Sequence, residues 1–185
     1  MANADIKAEL RRAAEERRAA SYAADPGAGA VLARYAMHLL GERSFVSIAA
    51  YWPIRTEIDV RPLLLALAQN GRDTALPVIR GRGEPLEFRR WRPGFDLTPG
   101  AFGTLGPAAA PVIEPDVLLV PLLAFDRQHR RLGYGAGFYD RTIALLRRRP
   151  LLVLGVAFAA QEIEEVPVDS WDEPLDLVLT ERGIL

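Results

Sequence analysis

Residues 116–124 read DVLLVPLLA, and residues 151–158 read LLVLGVAF. Neither run alternates apolar with polar positions. A strand with one wet face does alternate, because successive side chains point to opposite sides of the sheet. Unbroken apolar runs of this length describe strands covered on both faces, as in a parallel sheet packed between helices. Working outward, 44–51 (SFVSIAAY) and 175–180 (LDLVLT) read as further strands, and 75–80 and 86–91 as short ones. Ile6, Leu10 and Ala13/Ala14 recur at helical spacing over 4–23, with Asn3 as N-cap. Leu32, Tyr35/Ala36 and Leu39/Leu40 form the stripe of a helix over 27–40 that Gly41 ends. Asp59 caps a helix over 60–70 that stops at Gly71, and a helix over 138–149 stops at Pro150. Strands alternating with helices predict an α/β fold: a three-layer α/β/α sandwich with a mostly parallel sheet, one domain over 1–185.

Composition narrows the function. Lys and Arg number 23 and Asp and Glu 24, a net charge of −1. A surface so close to neutral does not suit a general nucleic-acid binder, whose phosphate contacts need a cationic surplus. There is no cysteine, which removes disulfides, zinc–thiolate sites, iron–sulfur clusters and thiol catalysis. Two histidines, His38 and His129, are too few for a histidine-rich metal site. No stretch reaches the ~18 apolar residues of a membrane span. The N-terminal MANADIKAELRRAAEERR carries both signs and lacks the apolar core of a signal peptide, so the cytoplasm is the expected compartment. Lys7 is the only lysine; every other basic residue is arginine. A lysine that persists against an arginine bias can serve where a compact ammonium is needed and a planar fork is not.

The segment RLGYGAGFYDR, 131–141, follows a buried strand and opens a helix. Gly133, Gly135 and Gly137 leave its main chain nearly bare. It reads either as a tight strand-to-helix turn or as a cradle whose N–H groups meet a phosphate chain at a helix N-terminus. It is neither a Walker A loop nor the dinucleotide fingerprint. Asp140, in the first helical turn, either complements the helix dipole or ligates Mg²⁺ riding on bound phosphates; Asp172 is a second candidate carboxylate. Lys7 and Arg11, four residues apart, share one helix face: a solvated face or a polyphosphate clamp. In YWPIRTEID, 51–59, Trp52 and Glu57 either pack and start a helix turn, or stack on a heterocycle and accept its paired N–H donors. Residues 92–115 form a long Pro/Gly-rich loop, functional or mobile, flanked by Trp91 and Phe102, which line a cleft or pin the loop. His129 reads as a surface histidine.

These segments, in this order, resemble the 5-formyltetrahydrofolate cyclo-ligase family, also called methenyltetrahydrofolate synthetase. The matching pieces are Lys-x-x-Leu-Arg at 7–11, Tyr-x-Pro-x-x-x-Glu-Ile-Asp at 51–59, Leu-Pro-Val-Ile at 76–79 and DVLLVPLLAF with Asp126. RLGYGAGFYDR, GVAF with Gln161, Val166-Pro167, and Asp172 before LDLVLTE complete them. The resemblance implies the same three-layer fold and an ATP- and Mg²⁺-consuming conversion of 5-formyltetrahydrofolate to 5,10-methenyltetrahydrofolate. It implies ATP contacts at Lys7, Arg11, Arg131, Leu132, Gly133, Tyr134, Gly135, Ala136, Gly137, Phe138 and Tyr139. It further implies folate contacts at Trp52 and Glu57 and Mg²⁺ at Asp140 and Asp172. Such chemistry requires no protein nucleophile, and a monomer or weak dimer is expected. The chain departs from the family pattern at Ala136 (often Gly or Lys), Phe138 (Tyr), His129 (usually Gly) and FGTLGP, 102–107, which lacks a glutamate. Two rival readings follow: a non-catalytic folate- or nucleotide-binding paralogue, and a sugar-phosphate isomerase with Glu57 as base.

Overall fold

The computed structural model describes residues 3–107 and 109–185, excepting the side chains of Asn3 and Ala4. The long helices are α1 (Asn3–Ala24), α2 (Ala28–Gly41), α3 (Arg61–Gln69) and α4 (Phe138–Leu146). The strands are β1 (Ser47–Ala49), β2 (Asp73–Val78), β3 (Glu87–Trp91), β4 (Thr98–Pro99), β5 (Leu105–Gly106) and β6 (Val117–Pro121). They continue with β7 (Ala124–Phe125), β8 (Arg131–Leu132), β9 (Leu152–Val156), β10 (Leu177–Thr180) and β11 (Gly183–Ile184). Seven strands form one sheet in the order β11-β10-β9-β6-β1-β2-β3. The five inner strands run parallel, while β3 and β11 close the edges antiparallel.

The two quoted runs, as β6 and β9, pair at the centre from Val117↔Leu152 to Pro121↔Val156. Their side chains divide by parity. Ile48, Leu119, Leu154 and Leu179 face α2 and α3. Ala49, Leu118, Val120, Val153 and Val178 face α4. Each fully buried Leu or Val contributes roughly 1.5–3 kcal/mol, so the unbroken runs drive both outer layers onto the sheet. The expected sandwich is therefore present. Helix α1 packs differently, placing Leu10 and Ala14 against Leu123, Ala124, Leu132 and Val166. It lies over the loops that leave the carboxyl ends of the inner strands, where ligands of open α/β sheets gather.

Boundaries differ where side chains intervene. The expected strand 44–51 shrinks to Ser47–Ala49, because the Asp116 carboxylate takes the N–H groups of Val46 and Ser47 ahead of the ladder. The run 116–124 is not one strand; it breaks after Pro121, and Ala124–Phe125 pair back onto Arg131–Leu132 as a hairpin. Helix α4 ends at Leu146, short of 149. Asp59 accepts the Arg61 N–H as a cap would, although Val60 occupies the capping position. The N-cap expected at Asn3 concerns a side chain outside the described residues. The 92–115 loop carries the small β4–β5 pair and a bridge from Arg89 to Val112. No helix among the described residues is long and apolar enough to cross a membrane.

Candidate active site

Helix α1 sets three cations along one stripe. Lys7, Arg11 and Arg18 sit on the same face, with fully buried Ala14 between the last two. Lys7 is buried, not solvated: its Nζ lies 2.7 Å from Asp169 Oδ2 and 2.6 Å from Asp172 Oδ2. Burial opposes its charge, but the two carboxylates outweigh burial and hold the ammonium above its ordinary value. Two of its three N–H donors are so engaged among the described residues. Arg11 Nε donates to the Gly133 carbonyl at 2.9 Å.

The glycine segment owes its course to its missing side chains. Gly135 has φ +93°, and a Cβ there would come within 3.2 Å of the Arg11 guanidinium carbon. Gly137 has φ +66° and opens α4; a Cβ there would meet Arg141 at 2.8 Å. Both conformations are left-handed, which glycine adopts without a Cβ penalty. Two guanidinia therefore rest on the bare main chain. Arg141 donates to the Ala136 carbonyl at 2.7 Å and lies over the Phe138 ring. Its buried Nε finds no partner among the described residues.

Asp140, in the first turn of α4, is paired. Its Oδ1 accepts from Arg131 and, at 3.2 Å, from the Glu173 N–H. Arg131 also donates to the Glu173 carbonyl. Burial holds its guanidinium below the usual arginine range, against the opposing pull of Asp140 and Asp172. One arginine thus draws Asp140 and the Asp172–Glu173 segment together. Each of Asp140 and Asp172 spends a single carboxylate oxygen on these contacts. Hard oxygen donors of this kind fit Mg²⁺, which takes one or two carboxylates and completes its shell with water and phosphate. No group of three or more His, Cys, Asp or Glu suited to a metal occurs among the described residues. A cation here would depend on that outside completion.

At the exit of β1 the two expected folate residues part company. Trp52 lines a cavity of about 320 Å³ with Asp59, Arg61, Pro62, Leu65 and Trp91. Trp52 and Trp91 meet edge to face at 5.8 Å, and the Arg61 guanidinium lies over Trp52. Glu57 is not part of that lining. It is buried, accepting the Tyr134 hydroxyl at 2.7 Å on Oε1 and the Ile54 N–H at 3.0 Å on Oε2. Burial pushes its carboxyl above the usual carboxylate range against these donors and against Arg18. Burial and the Glu57 charge push the phenols of Tyr134 and Tyr139 up. Leu132 is in the core against α1. Phe102 packs edge to face on Phe138 at 5.8 Å, so it pins the long loop to the start of α4.

The sequence profile of the 5-formyltetrahydrofolate cyclo-ligase family matches residues 3–181. The chain belongs to that family. It is similar to the 5-formyltetrahydrofolate cyclo-ligase of Haemophilus influenzae, at 32% identity over 77% of this chain and 79% of that protein. A solved structure, the 5,10-methenyltetrahydrofolate synthetase of Aquifex aeolicus, superposes with a TM-score of 0.71 and 28% identity, covering 100% of this chain and 92% of that one. The Mycoplasma pneumoniae synthetase shares the fold at a TM-score of 0.77 and 24% identity, over 95% and 98% of the two chains. Membership makes the chain a ligase of folate metabolism.

Three participants escaped the sequence reading. Asp169 shares Lys7 with Asp172, and Thr56 accepts from Arg18 Nε at 3.1 Å. Arg18 itself is only 2% exposed. Its signal was its position, eleven residues after Lys7 and seven after Arg11, which returns it to their helix stripe.

Proposed function

We propose that the chain cyclises 5-formyltetrahydrofolate to 5,10-methenyltetrahydrofolate at the expense of ATP. One observation within a chain of this family carries the reading. Arg11, Arg141 and the N-terminus of α4 converge on the bare main chain at 133–137, next to the buried carboxylate at the exit of β1. A helix N-terminus with flanking guanidinia suits a polyphosphate.

The chemistry needs no protein nucleophile. The N5-formyl group is an amide, a poor electrophile. Its oxygen attacks the γ-phosphorus, the bond to the β-phosphate oxygen breaks, and ADP leaves. The resulting imidate phosphate is open to N10, whose lone pair forms the new C–N bond. Phosphate departs with the former formyl oxygen, and the N10 proton goes to solvent. Ring closure is intramolecular and gains from high effective molarity. Phosphoryl transfer chiefly asks for alignment and charge neutralisation, which Lys7, Arg11 and the amides of Gly133 to Gly137 would supply. Asp140 and Asp172 would hold Mg²⁺, which neutralises phosphate charge when bound. Trp52 and Glu57 would receive the folate, the one through its ring face and the other through its acceptor oxygens.

The test is direct. Purified protein with 5-formyltetrahydrofolate and Mg²⁺ is assayed with and without ATP for the methenyl chromophore. Signal that requires ATP is expected. Its absence with folate binding retained would return the chain to a binding protein.

A further inference from the structure

Arg18 is among the largest fully buried side chains of the molecule, and it is a guanidinium. Burying that charge is costly unless it is paired and hydrogen-bonded. Its compensation comes from three directions. Arg18 Nε donates to Thr56 Oγ1, and its NH1 donates to the Tyr134 hydroxyl. The Tyr134 hydroxyl in turn donates to Glu57 Oε1, which lies 4.0 Å from the same Arg18 nitrogen. The guanidinium also lies 5.4 Å from the centre of the Tyr134 ring.

The chain of donors runs from cation through phenol to carboxylate. Its middle member belongs to the glycine segment and its last to the β1 exit. Tyr134 is held at its hydroxyl end by Arg18 and Glu57, while the residue as a whole is 37% exposed. Among the described residues, Arg55, Tyr51 and Tyr139 also interact with Glu57 through their charges. Arg18 reaches it from α1.

We propose that Arg18 is a positioning residue that links the two substrate sites. It fixes the hydroxyl of Tyr134, and Tyr134 fixes the acceptor oxygens of Glu57. Ordering the glycine segment by nucleotide therefore also orders the carboxylate that meets the folate, and the reverse holds by thermodynamic reciprocity. This rests on the function proposed above.

The experiment measures 5-formyltetrahydrofolate binding by tryptophan fluorescence, with and without a non-hydrolysable ATP analogue and Mg²⁺. It uses the whole chain and its Arg18→Met, Arg18→Lys and Tyr134→Phe variants. In the parent protein the analogue should tighten folate binding by about fivefold or more, within the usual range of coupling between sites. Arg18→Met and Tyr134→Phe should abolish that factor, and Arg18→Lys should restore part of it. Tyr134→Phe removes a single hydroxyl from a partly exposed ring and carries the test alone if Arg18→Met does not fold. Coupling that persists in Tyr134→Phe, or is absent from the parent, overturns the proposal and leaves the function intact. A parent protein that binds no folate overturns both.

Discussion

The backbone of α2 at Gly29 rests on the carbonyl of Asp59: a Cβ at Gly29 would come within 2.2 Å of that oxygen. Both partners are main chain, so neither can rotate away. The first turn of α2 is thereby seated on the end of the 51–59 loop that carries Trp52 and Glu57.

Gly29→Ala should therefore destabilise the protein by about 1–3 kcal/mol, the usual cost of overpacking, or more. Denaturant melts measure it. Gly41→Ala is the control, since nothing lies within 4 Å of the added carbon. It should leave stability unchanged or raise it by up to about 1 kcal/mol through helix propensity.

Lys7→Met leaves Asp169 and Asp172 without their shared cation. The expected loss near neutral pH is about 1–3 kcal/mol, the scale of losing charged hydrogen bonds. Because the folded-state value of Lys7 is raised, its stabilisation is complete below its ordinary value of 10.5 and fades as pH climbs through the higher folded one. Thermal melts from pH 8 upward should show the parent protein and the variant converging at the alkaline end, whereas a constant gap counts against this origin.

Asp116 behaves in the opposite sense. Burial raises its carboxyl, but the N–H groups of Ser47 and Val46, Arg149 and the Ser47 hydroxyl outweigh that and lower it below 3.8. Its contribution is present above that ordinary value and disappears as pH falls through the depressed one. Asp116→Asn should cost about 1–3 kcal/mol near neutrality, and the difference from the parent should shrink in melts below about pH 4.

His129 has φ +60° and sits in the turn of the β7–β8 hairpin. A left-handed conformation costs a side-chain-bearing residue roughly 1–2 kcal/mol, whereas glycine pays about 0.5–1 kcal/mol in chain entropy. His129→Gly should thus stabilise by up to about 1 kcal/mol, read as a higher melting midpoint. A lower midpoint would assign the imidazole a packing role.

The sheet was legible because Leu118, Leu119, Val153 and Leu154 are buried on both faces, and an uninterrupted run has no other economical reading. Of its two antiparallel edges, β3 was legible in 86–91, whereas β11 is two residues long and leaves no pattern. Strand β7 hid at the end of an apolar run, and its partner β8 is likewise only two residues long. At the site, Gly135 and Gly137 announced a bare main chain, and left-handed backbone does occur there. Lys7 proved buried where a charged helix face suggested solvent, because its partners lie more than 160 residues away in sequence. Arg18 was invisible on that account too: arginine in a charged helix looks solvated until a distant Glu57 and Tyr134 close over it.

The seclusion of Lys7 makes the molecule its own reporter. Acylating or reductively methylating reagents find a single side-chain amine in the whole chain, shielded by two aspartates. The rate at which that amine is labelled should record how often the pair lets go, and how far each bound substrate changes the frequency.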